Sequence, residues 1–348
     1  MVFIGGINLK NDATGGEEAK NQQMIAFFKK KDIAVKIIDT HNWKRRLLIL
    51  FFQIIRHTIF AKNKNIYLSL SYGSTNKLLK YFNYFKISKR NSISYFVIGG
   101  KFHKWIEENP QYVKNFKPLT AIFPESAAMV KSLNSSGLQN VTQVPNFKAI
   151  PNVTIKRAYK VIDFVFLSRI LPQKGSELII DAVLQLNKMG LEDKFSVSFY
   201  GNIDEELNVG YEDAFKSKIE PIHNITYKGF LKLSNSKNYE ILSTYNAMLF
   251  PTFWKGEGYP GVLIDAFIVN MPIIASNWHH NKEIVKNKVN GLLIPAKDSN
   301  ALKTAMETLI LDSSVLKTLE NGAKKSTAIY DIEQVLSPII NITDASKS

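Results

Sequence analysis

The chain has no cysteine among its 348 residues. That excludes a disulfide framework and thiolate-bound metal, and it suits a reducing compartment. Long apolar runs are missing as well. The greasiest stretch, 47–55, is interrupted by Gln53 and flanked by Arg45, Arg46 and Arg56, well short of the roughly 20 apolar residues that a membrane-spanning helix needs. Residues 1–10 lack the basic-then-apolar order of a secretory signal and read instead as the start of a strand at 2–7. The glycine patterns G-x-x-x-x-G-K-(S/T) and G-x-G-x-x-G are absent, so neither a P-loop nor a dinucleotide fingerprint is supported. Zinc-ligand spacing and basic-aromatic repeats are absent too, which argues against nucleic acid as a partner.

Acidic residues are scarce in one half only. Residues 1–150 carry 23 Lys+Arg against 8 Asp+Glu, and 151–348 carry 22 against 22, so the whole excess of +15 lies in the first half. A field of that sign attracts anionic lipid headgroups or a phosphorylated acceptor. A solvated Lys-rich surface is the alternative reading. In this half Trp43, Lys44, Arg45 and Arg46 lead into the apolar run at 47–55. The apolar residues read as the buried face of a helix on the first sheet, with the basic ones facing outward. An anionic membrane surface is therefore a candidate partner.

What the chain does have is a regular alternation. Apolar runs at 2–7, 34–39, 65–70, 94–99, 119–123 and 141–144 read as buried strands separated by helical patterns such as 17–30 and 43–60. A second series at 161–167, 195–200, 225–228, 247–250, 272–275 and 291–294 follows a polar stretch after Pro145, Asn146 and Phe147. Helical patterns at 299–311, 314–329 and 332–340 close the chain. Alternation of this kind predicts α/β architecture with parallel sheets, divided into a domain at 1–150, a domain at 151–330 and a C-terminal helix at 331–348 that packs back on the first domain.

Two motifs carry chemistry. In Gly256-Glu257-Gly258-Tyr259-Pro260-Gly261-Val262-Leu263-Ile264-Asp265, the strand at 247–250 ends at Pro251 and a helix begins near Tyr259. Glu257 then sits in a loop, and Asp265 about two turns inside the helix. Gly261 and Val262 supply first-turn N–H groups that favour an anion. In Ser168-Arg169-Ile170-Leu171-Pro172-Gln173-Lys174-Gly175, two cations follow the strand at 161–167. That is where open α/β sheets bind ligands, and the two charges would neutralise a diphosphate.

These motifs, in this order, resemble glycosyltransferase family 4, retaining sugar transferases of the GT-B fold, over most of the chain. The resemblance implies two Rossmann-like domains whose parallel sheets face each other across a cleft. Arg169 and Lys174 would grip the donor diphosphate, Glu257 would orient the sugar, and Asp265, where the family more often has Glu, would contact the ribose. Gly15 and Gly16, in Thr14-Gly15-Gly16-Glu17, would hold the distal phosphate or the acceptor. Gly229 would let the base approach and Phe230 or Leu231 would cover it, although a tight strand-end turn explains them equally well. His103 would stand near the transferred sugar, with a surface histidine early in a helix as the alternative. His279 and His280 read as structural, since no third metal ligand is evident.

The function implied is retaining transfer of a sugar from a nucleotide-sugar donor, with a UDP-sugar expected. The acceptor would be a growing, lipid-diphosphate-linked glycan of a bacterial surface polysaccharide. No cofactor is expected, and the absence of an Asp-x-Asp pair suits a metal-independent mechanism. The place implied is the cytoplasm, with peripheral attachment to the inner face of the plasma membrane. Two alternatives stay open at this point: a GT-B sugar-nucleotide epimerase or hydrolase, and a non-catalytic basic binding protein.

Overall fold

The computed structural model describes residues 1–348 except 10, 12, 14, 234, 235 and 346–348, and except the side chains of 341–345. Two compact units emerge, one of Met1–Ala149 with Tyr330–Ser348 and one of Ile150–Ile329.

The first unit runs β1 (Val2–Gly5), α1 (Gly16–Lys30), β2 (Lys36–Asp39), α2 (Leu47–Thr58), β3 (Asn65–Ser69), α3 (Tyr72–Tyr84), β4 (Ser92–Phe96), α4 (Phe102–Glu108), α5 (Val113–Phe116), β5 (Ala121–Phe123) and α6 (Ala127–Ser135). Its strands are parallel in the order β2-β1-β3-β4-β5, with Val2 opposite both Lys36 and Ile66. Apolar runs without alternation suit strands buried on both faces, and the core is accordingly in two layers. Phe27 and Phe28 of α1 pack with Phe3, Tyr67 and Phe96 on one face. Leu79, Phe102, Phe116 and Leu133 pack with Ile4, Leu68 and Tyr95 on the other.

Two expectations for this unit fail. Residues 141–144 form no strand: Val141 makes an isolated bridge to Ile122. Pro145, which has no N–H to offer, follows at once and cannot extend the ladder. The pattern at 43–60 is also not one helix with a buried apolar face. A 3-10 turn at Trp43–Arg45 breaks at Arg46, where φ is −130° and ψ 21°, before α2 begins. Only Leu50 and Thr58 of α2 are then buried.

The second unit runs β6 (Ile162–Leu167), α7 (Ser176–Lys188), β7 (Phe195–Tyr200), α8 (Tyr211–Ile219), β8 (Ile225–Tyr227), α9 (Asn238–Leu242), β9 (Ala247–Phe250), α10 (Gly261–Ile268), β10 (Ile273–Ser276), α11 (Asn281–Ile284), β11 (Gly291–Ile294), α12 (Ser299–Leu311) and α13 (Ser313–Ser326). The chain then returns to the first unit as α14 (Ile332–Ala345). There Ile332, Leu336 and Ile339 join the α1 face of the core.

The second sheet is again parallel, in the order β11-β10-β9-β6-β7-β8. Strand order reverses at β6 and β9, so the connections leaving these neighbours go to opposite faces and open a crevice at their carboxyl ends. Both motifs singled out in the sequence follow one of these two strands.

Candidate functional site

The crevice is built from the connections that follow β6 and β9. After β6 the chain turns at Gly175, whose φ of +91° only glycine adopts readily. A Cβ there would come within 2.6 Å of both Pro251 Cγ and Pro251 O. The ends of β6 and β9 are thereby pressed together. Phe253 N donates to the Gln173 carbonyl at 2.8 Å across the same junction.

This junction places Lys174 against Glu257. Lys174 Nζ donates to Glu257 Oε2 at 2.6 Å, and the two side chains are 10 % and 8 % exposed. Thr252 Oγ1 donates to the same oxygen at 2.9 Å. Among the described residues, both side-chain hydrogen bonds of Glu257 therefore fall on Oε2. The lysine also lies over the Phe250 ring, 5.8 Å from its centroid. A pair this sheltered gains strength from low local dielectric and would be costly to break on one side only.

Arg169 is different. Its side chain is 51 % exposed, donates to Asp204 Oδ2 at 2.9 Å and lies 5.5 Å from the Trp254 ring centroid. Asp204 follows β7 as Arg169 follows β6, so two adjacent strand ends hold the guanidinium and its counter-charge.

α10 begins at Gly261, not near Tyr259, so Asp265 lies about one turn inside it and not two. The N–H groups of Gly261 and Val262 have no partner within the helix. Asp265 is buried, and its Oδ1 accepts from Tyr239 Oη on α9 at 2.5 Å. Burial, reinforced by the Asp265 charge, pushes the Tyr239 hydroxyl far above the ordinary tyrosine range. Gly229 follows β8 with φ of +72°, and its carbonyl accepts from Gly201 N at 2.8 Å. Phe230 beside it is exposed, while Leu231 is buried.

The remaining expected residues lie in the first unit. Gly15 is the extended residue before α1, and a Cβ on Gly15 or Gly16 would touch nothing within 4 Å. The chain itself thus sets no steric need for glycine at either position. Thr14 lies outside the described residues. Gly15 lines a hollow of about 370 Å3 at the carboxyl ends of β1, β2 and β3, together with Glu17, Glu18, His41, Ser71 and Ser74. His41 Nδ1 lies 2.7 Å from Glu18 Oε1. Burial, and then the neighbouring Glu18 charge, raise the Glu17 carboxyl above its usual range. Asp39, at the end of β2, accepts from the N–H groups of Ile7, Asn8, Leu9 and His41. Burial opposes its ionisation, but those four donors outweigh it and hold the carboxyl below the usual range. His103 is the second residue of α4 and only partly buried.

His280 Nδ1 lies 3.2 Å from Glu283 Oε1, and among the described residues no group of three or more His, Cys, Asp or Glu could hold a metal ion.

Sequence reasoning missed Thr252, Asp204, Trp254 and Tyr239 as partners of the residues it singled out. The signal for the first three was their place just past β9 and β7, at the carboxyl edge where the motifs already lay. Tyr239 had no such signal, because α9 reaches Asp265 only through the tertiary packing.

The profile of the family described as Glycosyl transferases group 1 matches residues 154–326. The chain carries a glycosyl transferases group 1 domain. Every second-unit residue discussed above lies in this group 1 domain. Among curated proteins the chain is similar to a Campylobacter jejuni GalNAc-alpha-(1->4)-GalNAc-alpha-(1->3)-diNAcBac-PP-undecaprenol alpha-1,4-N-acetyl-D-galactosaminyltransferase. The identity is 23 % over 178 residues, covering 49 % of this chain and 45 % of that protein. It is also similar to an Escherichia coli UDP-Gal:alpha-D-GlcNAc-diphosphoundecaprenol alpha-1,3-galactosyltransferase, at 24 % identity over 164 residues, covering 46 % and 39 %. The match thus spans less than half the length of these two relatives. Among solved structures, Anabaena HepE in complex with UDP superposes with a TM-score of 0.73 at 15 % identity, covering 99 % of each chain. The likeness shows the fold: two parallel sheets with alternating helices, as in GT-B proteins.

Proposed function

We propose that the protein transfers a sugar from a nucleotide-sugar donor to a lipid-diphosphate-linked glycan, with retention at the anomeric carbon, in the assembly of a bacterial surface polysaccharide. The observation that carries this reading is the buried Lys174–Glu257 pair at the point where the strand order reverses. The relatives' names point the same way, since one acts on a diphosphoundecaprenol-linked sugar with UDP-Gal. A UDP-sugar is accordingly the donor we propose here, and the inner face of the membrane is the place.

In this reading the departing nucleoside diphosphate gathers negative charge on its bridging and terminal oxygens. Lys174, Arg169 and the amides of Gly261 and Val262 stabilise that charge, the role of an oxyanion hole. Glu257 positions Lys174 through Oε2 and has Oε1 for the sugar hydroxyls. Asp265, held by Tyr239, takes the ribose, and Gly229 and Phe230 receive the base. Gly15 and Gly16 take the distal phosphate or the acceptor, and His103 stands near the transferred sugar. Cationic side chains do the work that a divalent ion does elsewhere, so no metal is required. Turnover of a panel of nucleotide sugars with a lipid-linked glycan acceptor, with and without chelator, tests the reading. Transfer that survives chelator is expected. Loss restored by Mg²⁺ or Mn²⁺ would remove the metal-free mechanism, and no transfer from any donor would remove the function.

A further inference from the structure

α2 leaves most of its apolar side chains in solvent. Leu48 is 74 % and Phe52 65 % exposed, and Trp43, Leu47, Ile49 and Phe51 are each at least half exposed. Leu48, Phe52 and Arg56 follow at i, i+4 and i+8 and so fall on one line of the helix, with Phe51 and Ile55 beside it. The opposite side is the one that packs: Leu50 is buried, and Ile54 rests against the first unit's core.

This apolar ridge runs between two basic groups. Lys44 and Arg45 are exposed ahead of it. At its far end Arg56 and the exposed Phe60 border a hollow of about 420 Å3 that is also lined by Lys36, His57 and Lys64. Burial, and then the charges of Lys36 and Arg56, hold the His57 imidazole below its usual range.

A soluble surface does not ordinarily expose a contiguous set of large apolar residues without a partner for it. The helix has 12 residues, and among the described residues no helix is long and apolar enough to cross a membrane. A short amphipathic helix with an apolar ridge and cationic ends is suited to lying in the plane of the headgroup layer. The cations select the sign of that layer.

We infer that α2 is a bilayer-docking element. Its Leu48, Phe51 and Phe52 enter the acyl boundary of an anionic membrane, while Arg45, Arg56 and the Lys36–Lys64 hollow take lipid phosphates. This deepens the membrane-side placement of the proposed transfer and rests on that reading only for its biological setting.

Sedimentation with vesicles of phosphatidylcholine alone, or of phosphatidylcholine mixed with phosphatidylglycerol, tests the inference without any sugar transfer. The native protein should sediment with the mixed vesicles only, and less so at high salt. The double variant Leu48→Ser/Phe52→Ser, which touches no core, should keep its thermal midpoint and lose vesicle affinity by about tenfold or more. Arg45→Gln/Arg56→Gln should lower affinity and flatten its salt dependence. Equal sedimentation with both vesicle types, none with either, or a double variant that binds like the native protein would each overturn the inference. So would a concentration-dependent doubling of mass that the double variant abolishes, because the face would then belong to a second copy of the chain. Each of these outcomes leaves transfer to a soluble acceptor unaffected, so failure here and failure of the transferase reading are distinguishable.

Discussion

At the carboxyl edge of the second sheet a lysine and a glutamate are paired and buried, whereas at the same edge of the first sheet Glu17, Glu18 and His41 line an open hollow. The unit that holds most of the net positive charge therefore has an acidic edge. Its cations at Arg45, Arg56, Lys36 and Lys64 stand on and around α2 instead. In the neutral half, by contrast, the crevice itself holds Arg169 and Lys174. The sum of a domain's charges sets its long-range field, but the strand ends decide where charge meets a ligand.

The sharpest way to break this contrast is at Lys174. Lys174→Ala should lower turnover by about ten- to a hundredfold or more. It should also destabilise the protein by about 3–5 kcal/mol, because Glu257 is left charged and buried. Adding Glu257→Gln should restore most of the stability and none of the turnover, as read by steady-state kinetics beside thermal melts. A double variant with recovered turnover would mean that the pair is structural only.

Arg169→Ala sharpens the comparison within the same edge. This side chain is half exposed, so stability should change by no more than about 0.5 kcal/mol, while kcat/KM falls by about tenfold. Unchanged kinetics in the folded variant would take Arg169 out of the donor site.

On the first sheet the expected effects are on folding. Asp39→Asn weakens four N–H contacts, three of them from Ile7, Asn8 and Leu9 in the loop ahead of Gly15 and one from His41, at a cost of about 1 kcal/mol after solvent screening. Because the folded carboxyl is held below its unfolded value, its contribution is present above that value and is lost as pH falls through the folded pKa. The Asn variant should therefore lose less stability on acidification than the native protein. Glu17→Gln gives the smallest effect, with the opposite sign. A carboxyl raised in the folded state favours folding while protonated, so the native protein should lose stability as pH rises above the ordinary glutamate range. The Gln variant should flatten that slope, and parallel melts that match the native ones would show that Glu17 is not held in an unfavourable place.

The fold was legible wherever burial and periodicity agree. The strands at 195–200, 247–250 and 291–294 and the helix at 299–311 stand at the residues their apolar runs predict. Where two elements share a composition, sequence could not separate them. α10 and α2 are both rich in large apolar residues, yet α10 has Leu263–Ile268 buried and α2 has Leu50 and Thr58 alone. Helical spacing gives the shape of an apolar face, and only the packing of neighbouring elements says whether the face is covered. The site followed the same division. Lys174 and Glu257 were visible because glycines and strand ends mark their loops, while their meeting at 2.6 Å depends on a Gly175–Pro251 contact between distant segments.

The claim on which the account rests is that the β6–β9 crevice holds the diphosphate of a nucleotide sugar. Calorimetric titration of UDP, GDP and ADP into the native protein, Arg169→Ala and the Lys174→Ala/Glu257→Gln pair tests it most directly. The account predicts that the native protein binds UDP and that each variant weakens this binding by about tenfold or more, with chelator present throughout. Equal affinity in all three proteins, or no binding of any nucleoside diphosphate, would contradict it.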